Sequence, residues 1–202
     1  TLFRSVANLK NANAKDALTL TVTGATATAE DLLTLDGRTS VTVKASAVTA
    51  ISGNAADVKK LVAAKGVEIA KDVKIDLSGT TTNASDLATI LKATTGEVKA
   101  TVAADTAAKL NAALKDAISS DVLTLTVNGT TAAAADLNAL DAKTSVDVDA
   151  TAVSKITGNA ADVKKAVDAV NAEINLDAAV AIDVSDTVSV ADANLIDGTN
   201  GV

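Results

Sequence analysis

The chain alternates between two hydrophobic periods. Runs in which every second residue is apolar, the pattern of a half-buried strand, occur at Leu18–Val22, Val41–Val43, Val73–Leu77, Val98–Val102, Leu123–Val127, Val146–Val148 and Val180–Val184. Between them apolar residues recur at steps of three and four, as in Leu32/Leu35, Val58/Leu61/Val62, Leu87/Ile90/Leu91 and Leu110/Leu114. That spacing predicts short helices, each with one narrow buried stripe. Seven strands separated by helices are expected to pair in parallel through right-handed crossovers.

The helix entries share a register. Asn54-Ala-Ala-Asp57, Asn83-Ala-Ser-Asp86, Asn159-Ala-Ala-Asp162 and the variant Thr28-Ala-Glu-Asp31 each place an oxygen-bearing side chain three residues ahead of an aspartate. The first residue suits an N-cap, and the aspartate can reach back to it or meet the positive end of the helix dipole. The lysines that follow, at Lys59-Lys60, Lys92, Lys115 and Lys164-Lys165, read as solvated helix faces.

Self-comparison reveals a duplication. The segment from Leu18 to Ala64 recurs from Leu123 to Ala169, offset by 105 residues without a gap, with 31 of 47 pairs identical and the octapeptide GNAADVKK unbroken. Four β-α units fill each long repeat. The expected organisation is one repeat domain over 1–202, with repeats at 18–122 and 123–202, the second incomplete.

The strands also decide between architectures. In a closed or doubly wound parallel sheet both faces are buried and strands are continuously apolar. Here the alternate positions are Thr19/Thr21, Thr42/Lys44, Lys74/Asp76, Lys99/Thr101, Thr124/Thr126 and Asp147/Asp149, so one face must meet water. The predicted fold is α/β: an open right-handed α/β-solenoid of about seven β-α units, a parallel sheet with helices on one face only.

The segments Asp136-Leu-Asn-Ala-Leu-Asp-Ala-Lys-Thr-Ser145 and Ile156-Thr-Gly-Asn-Ala-Ala-Asp-Val163 resemble the Ala/Thr/Asp-rich repeats of giant surface or secreted proteins of bacteria, marine cyanobacteria notably. The resemblance covers most of the chain. It implies an extracellular or cell-surface location and a structural or adhesive role, and it brings no active site with it.

Composition narrows the chemistry. His, Pro, Cys, Met, Trp, Tyr and Gln are absent, while Ala supplies 44 residues and Thr 27. Imidazole bases, thiolate nucleophiles, disulfides and thiolate metal sites are thereby excluded, and no Gly-rich phosphate loop or Ser-x-x-Lys occurs. No catalytic residue, cofactor site or metal ligand is assigned, and the chain is read as not an enzyme. The net charge of −7 argues against a nucleic-acid partner, and Phe3 is the only ring available for base stacking. No apolar run approaches the length of a membrane span, so membrane insertion is not expected. Beginning at Thr1 without an initiator Met or a leader-like segment, the chain reads as a mature or excised fragment.

Three surface features remain. The ladders Thr19/Thr21/Thr23 and Thr124/Thr126 resemble ice-binding ranks, but Lys44, Lys74/Asp76 and Asp147/Asp149 interrupt them. The sequons Asn83-Ala-Ser85 and Asn128-Gly-Thr130 read as a helix cap and a turn. Residues 166–202 carry Asp168, Glu173, Asp177, Asp183, Asp186, Asp192 and Asp197 without a base, whereas residues 1–165 hold 18 acids and 18 bases. Within that acidic end Asp192-Ala-Asn194-Leu-Ile-Asp197-Gly198 partly matches a calcium loop, with one ligand displaced and the terminal Glu absent.

The leading reading is a non-catalytic scaffold segment of a larger protein, partnered by neighbouring repeats or by other copies of itself end to end. The alternative is calcium-dependent adhesion or ligand binding through the acidic end or the solvated sheet face. A solvated acidic edge predicts an unchanged melting temperature at millimolar calcium; a rise in a calcium titration identifies a metal site instead.

Overall fold

The computed structural model describes residues 2–3, 9–168 and 173–198. The side chains of Leu2, Phe3 and Ser78 lie outside that description, as do residues 169–172 and 199–202 of the second repeat. The chain divides into two compact units, Thr1–Thr101 and Val102–Val202, and is α/β with mostly parallel strands.

The first unit runs β1 (Leu2–Phe3), β2 (Thr21–Val22), β3 (Thr26–Thr28), α1 (Ala29–Asp36), β4 (Val43–Ala45), β5 (Ala50–Ser52), α2 (Ala55–Ala63), β6 (Val67–Ile69), β7 (Lys74–Thr82), α3 (Ala84–Leu91) and β8 (Val98–Val102), the strand in which the division falls. One sheet has the order β1-β2-β4-β6, and a second carries β3-β5-β7 with β8 next. Helix α1 packs on α2, and α2 on α3. The second unit holds α4 (Ala107–Ala113), β9 (Val122–Thr124), β10 (Thr131–Ala133), α5 (Ala134–Asp141), β11 (Val148–Ala150), β12 (Lys155–Gly158), α6 (Ala160–Asp168), β13 (Ile174–Leu176), β14 (Ala181–Val184) and α7 (Val190–Gly198). Its strands pair as β10-β12-β14 and β11-β13, and its four helices pack in sequence.

Register repeats along the chain. Twenty-four residues separate Thr26 from Ala50 and Ala50 from Lys74, which are lateral partners in parallel strands. The inward positions therefore stack in columns: Ala27, Ile51 and Ile75 in the first unit, Ala132, Ile156 and Ile182 in the second, with Val43 on Val67 and Val148 on Ile174 in the other sheets. The columns and the helix stripes form the core: Leu32, Leu35, Val58, Leu61, Leu87, Ile90, Leu110 and Leu114 are all buried. The alternation expected of the strands is present, with Lys44, Lys74, Lys99, Thr101 and Thr124 exposed between buried neighbours.

The strand count is corrected. Alternation predicts seven strands, but the described residues contain fourteen, two before most helices. Strands β3, β5 and β10 are short Thr/Ala/Ser-rich segments whose inward residue is an alanine or a single isoleucine. They lack the run of large apolar residues that marks a strand locally; what makes them strands is a matched segment about 24 residues away.

The corners between elements are held by hydroxyls. After α5, buried Thr144 donates from Oγ1 to the Leu123 carbonyl (2.9 Å) and accepts from the Leu123 N–H (3.0 Å) and the Val146 N–H (3.3 Å). Thr39 after α1 repeats the pattern with the Leu18 carbonyl (2.8 Å) and N–H (3.0 Å). Thr94 after α3 donates to the Val73 carbonyl. The next residue in each case, Ser40, Thr95 or Ser145, ties its N–H to a carbonyl of the preceding turn, at Asp16, Lys71 or Asp121.

Two glycines mark how closely the turns approach. A Cβ on Gly53 would stand 3.1 Å from the Ala29 Cβ, and one on Gly158 would stand 3.3 Å from the Ala134 Cβ. Small residues face each other where one turn's helix start meets the next turn's strand end.

Thr144→Val keeps the shape but leaves the buried Leu123 N–H and carbonyl without their partner. We expect a loss of about 1–3 kcal/mol in unfolding free energy, measurable by urea denaturation. Exposed Thr124→Val should change stability far less.

Candidate functional site

The polar chemistry of the chain concentrates at helix N-termini. Asn54 Oδ1 accepts from the Asp57 N–H (2.9 Å), Asn83 from Asp86 (2.8 Å), Asn159 from Asp162 (2.9 Å), and Thr28 Oγ1 from Asp31 (3.0 Å). The expected caps are all present. Each asparagine also donates its Nδ2 to the same aspartate's carboxylate at 2.7 Å, so the reciprocal bond joins two side chains. Sequence reasoning missed a further cap at α7, where Ser189 Oγ accepts from the Asp192 N–H (3.1 Å) and donates to its carboxylate (2.8 Å). The spacing Ser189-Val-Ala-Asp192 carries the same signal. Helices α4 and α5 are the exceptions: Thr106 and Ala133 stand at their N-caps and make no side-chain cap bond.

These aspartates are also joined sideways. The fifth residue of one helix reaches the third residue of the next: Lys59 of α2 pairs with Asp86 of α3, Lys164 of α6 with Asp192 of α7 (2.8 Å), and Asn111 of α4 with Asp136 of α5 (3.1 Å). In α5 that position is Asn138, which donates to the Asp162 carbonyl (2.9 Å) and leaves its own buried Oδ1 without a partner. Hydrogen bonds from Lys59 and Asn83 hold the Asp86 carboxyl below the usual carboxylate range, and Lys164 with Ser189 does the same for Asp192. Asp192 in turn raises the Lys164 ammonium above the ordinary lysine value. The lysines predicted as solvated faces are exposed except Lys164, which is half-buried, and Lys59 and Lys164 also bridge helices.

The acidic end is engaged within the second unit. Asp183 pairs with Lys155 (2.9 Å), Asp186 accepts from the Ala160 N–H (2.7 Å), Asp177 from the Ala179 N–H (2.7 Å), and Asp192 is committed as above. The calcium-like stretch Asp192-Ala-Asn194-Leu-Ile-Asp197-Gly198 lies inside α7, where residues two apart point to nearly opposite sides. It does not form a ligand loop. No group of three or more acids positioned to hold a metal ion is found among the described residues.

The sheet face shows why the threonine ranks are interrupted. Thr21 lies beside Lys44 and Lys44 beside Glu68, while Thr126 lies beside Asp149. Lys74 of β7, in the other sheet of the first unit, reaches Glu97 at 3.3 Å. Of the two sequons, Asn83 is consumed by its cap; Asn128 is exposed in a turn.

Open hollows lie among the described residues. One, of about 360 Å³, is lined by Ser52, Gly53, Asn54, Asp76, Gly79 and Thr80; another lies between β14 and α7 and includes Ile182, Val184, Asn194 and Asp197. Neither brings a nucleophile next to a base. Among the described residues Asp141 is a carboxyl pushed the other way. Burial, then the charge and hydrogen bond of Glu173, and finally the charge of Asp147 raise the Asp141 carboxyl, against an opposing pull from Lys165. Among the described residues no helix is long and apolar enough to cross a membrane. No family model, curated protein or solved structure matches the chain.

A carboxyl raised in the folded state contributes stability below its unfolded value and loses it as pH rises through the folded one. Asp141→Asn removes that loss and can still donate to Glu173. Its melting temperature should exceed the parent's at pH 7, and the gain should vanish below about pH 4. A gain independent of pH would mean that Asp141 acts otherwise.

Proposed function

We propose that the chain is a structural repeat segment: an open right-handed α/β-solenoid of about seven β-α units, serving as a spacer or scaffold in a larger surface or secreted protein. The observation that carries the reading is the recurring parallel register. Most strands pair with a segment 23–26 residues along, and helices join from fifth to third position with the next in line. Nearest-neighbour contacts of this kind define a quasi-one-dimensional protein. Further support comes from how the polar groups are used. Threonine hydroxyls hold corners, asparagines cap helices and most acids of the last 37 residues accept structural bonds. A chain that spends its polar side chains on its own backbone is suited to holding distance rather than to turnover. The resemblance to giant bacterial surface proteins supplies the proposed location, and further repeats or other copies end to end are the proposed partners.

The test is to lengthen the chain. Inserting a second copy of 18–122 between residues 122 and 123 adds four units in phase, so small-angle scattering should show the maximum dimension growing by roughly 19 Å at a strand spacing of ~4.8 Å, with the melting temperature kept or raised. An aggregated or unfolded product, or growth in all directions, would count against the solenoid. Labelling of intact source cells by an antibody to the chain tests the surface location separately.

A further inference from the structure

The turn at Asn128-Gly129 combines features found together at no other described asparagine. The residue is exposed and lies between the bridge residue Val127, which pairs with Asp105, and β10. Its side-chain carbonyl accepts no hydrogen bond from a described residue, and its amide makes a single long contact, Nδ2 to the Ala104 carbonyl at 3.3 Å. The following residue is a glycine at φ +99°, a conformation that side chains rarely adopt, and its N–H has no partner among the described residues. By contrast Asn54, Asn83 and Asn159 have both ends of their amides bound and are followed by the first residue of a helix. Asn111 and Asn138 are held within helices and followed by alanine.

From this we infer that Asn128 is a site of spontaneous backbone-directed deamidation, giving isoaspartate in the folded protein. The Gly129 amide nitrogen, on losing its proton, attacks Asn128 Cγ. The Cγ–Nδ2 bond breaks, ammonia leaves with the proton, and a five-membered succinimide closes. Water then opens either carbonyl, yielding aspartate or isoaspartate. The net change is one amide and one water converted to a carboxylate and an ammonium ion, with no enzyme, oxidant or cofactor. Glycine makes the step accessible because no Cβ obstructs the attacking nitrogen.

Two consequences follow from the surroundings. On the aspartate branch the new carboxylate faces the Ala104 carbonyl, where Asn128 formerly donated, so an attraction becomes a repulsion. The isoaspartate branch inserts one extra carbon into the main chain between the Asn128 N–H, which donates to the Asp105 carbonyl (2.9 Å), and the Thr130 carbonyl, which accepts from Ser154 and Lys155. Two anchored points of the ladder are thus moved apart. The first repeat carries Thr23-Gly24 at the matching place and cannot react, so the molecule contains its own control.

The test ages the full folded chain at pH 7 and at pH 8.5, followed by peptide mapping. The peptide containing Asn128 should gain about 1 Da and become a substrate for isoaspartate methyltransferase labelling, faster at the higher pH. The capped-asparagine peptides should stay unchanged, and Asn128→Thr should abolish the change at this peptide alone. A Gly129→Ala variant should slow it at least tenfold. Asn128 intact in the native chain while it converts in the urea-unfolded chain, or conversion of Asn54, Asn83 and Asn159 at the same rate, would overturn the assignment.

Discussion

Within each unit the strands must pair in parallel while the helices between them also pack on one another. Strands pair at ~4.8 Å, whereas packed helices ordinarily keep their axes ~8–10 Å apart. Small residues ease that mismatch where it is sharpest. Ala29 and Ala134 open α1 and α5 fully buried, and each meets a glycine, Gly53 or Gly158, with no room for a Cβ to spare. At these two positions alanine is a packing requirement rather than a neutral filler. The inward strand positions follow the same logic, with Ala27 and Ala132 beginning the columns that Ile51 and Ile156 continue.

Close approach leaves little water at the corners, and buried backbone groups there must be satisfied by the protein. Threonine meets that need well, since one hydroxyl both donates and accepts. Thr39 and Thr144 each serve the N–H and the carbonyl of a single residue one turn away. Their methyl groups remain compatible with a buried site. Most helix starts take their cap from the local chain, and α3, α5 and α7 also receive a link from the previous helix.

What could be read from the sequence was local. The Asn-x-x-Asp caps lie within four residues and were plain, as were the helix stripes at Leu87/Ile90/Leu91 and the duplication. Several strands were not: Thr26–Thr28, Ala50–Ser52 and Thr131–Ala133 have no run of large apolar residues and become strands only beside partners 24 residues away, while Val67–Ile69 and Ile174–Leu176 alternate but are only three residues long. The corner threonines were hidden for the same reason: Thr144 and Leu123 are 21 residues apart. The lysines at the fifth helix position looked solvated, and Lys59 is exposed while Lys164 is half-buried; their reach to the next helix depends on a register that a single helix does not reveal. The acidic end was visible as charge; the acceptance from Ala179 is local, but that from Ala160, Lys155 and Lys164 joins segments 26 to 28 residues apart.

The lateral links have a direction. In each, the donor sits on the earlier helix and the acceptor on the later one: Lys59 before Asp86, Asn111 before Asp136, Lys164 before Asp192. During synthesis, which delivers the chain from its N-terminus, a folded turn already presents its donor when the next aspartate emerges. The separations involved, 27, 25 and 28 residues, are short against the length of the chain, which favours rapid formation. The order of translation and the order of contacts coincide, so each finished turn can serve as the template on which its successor closes.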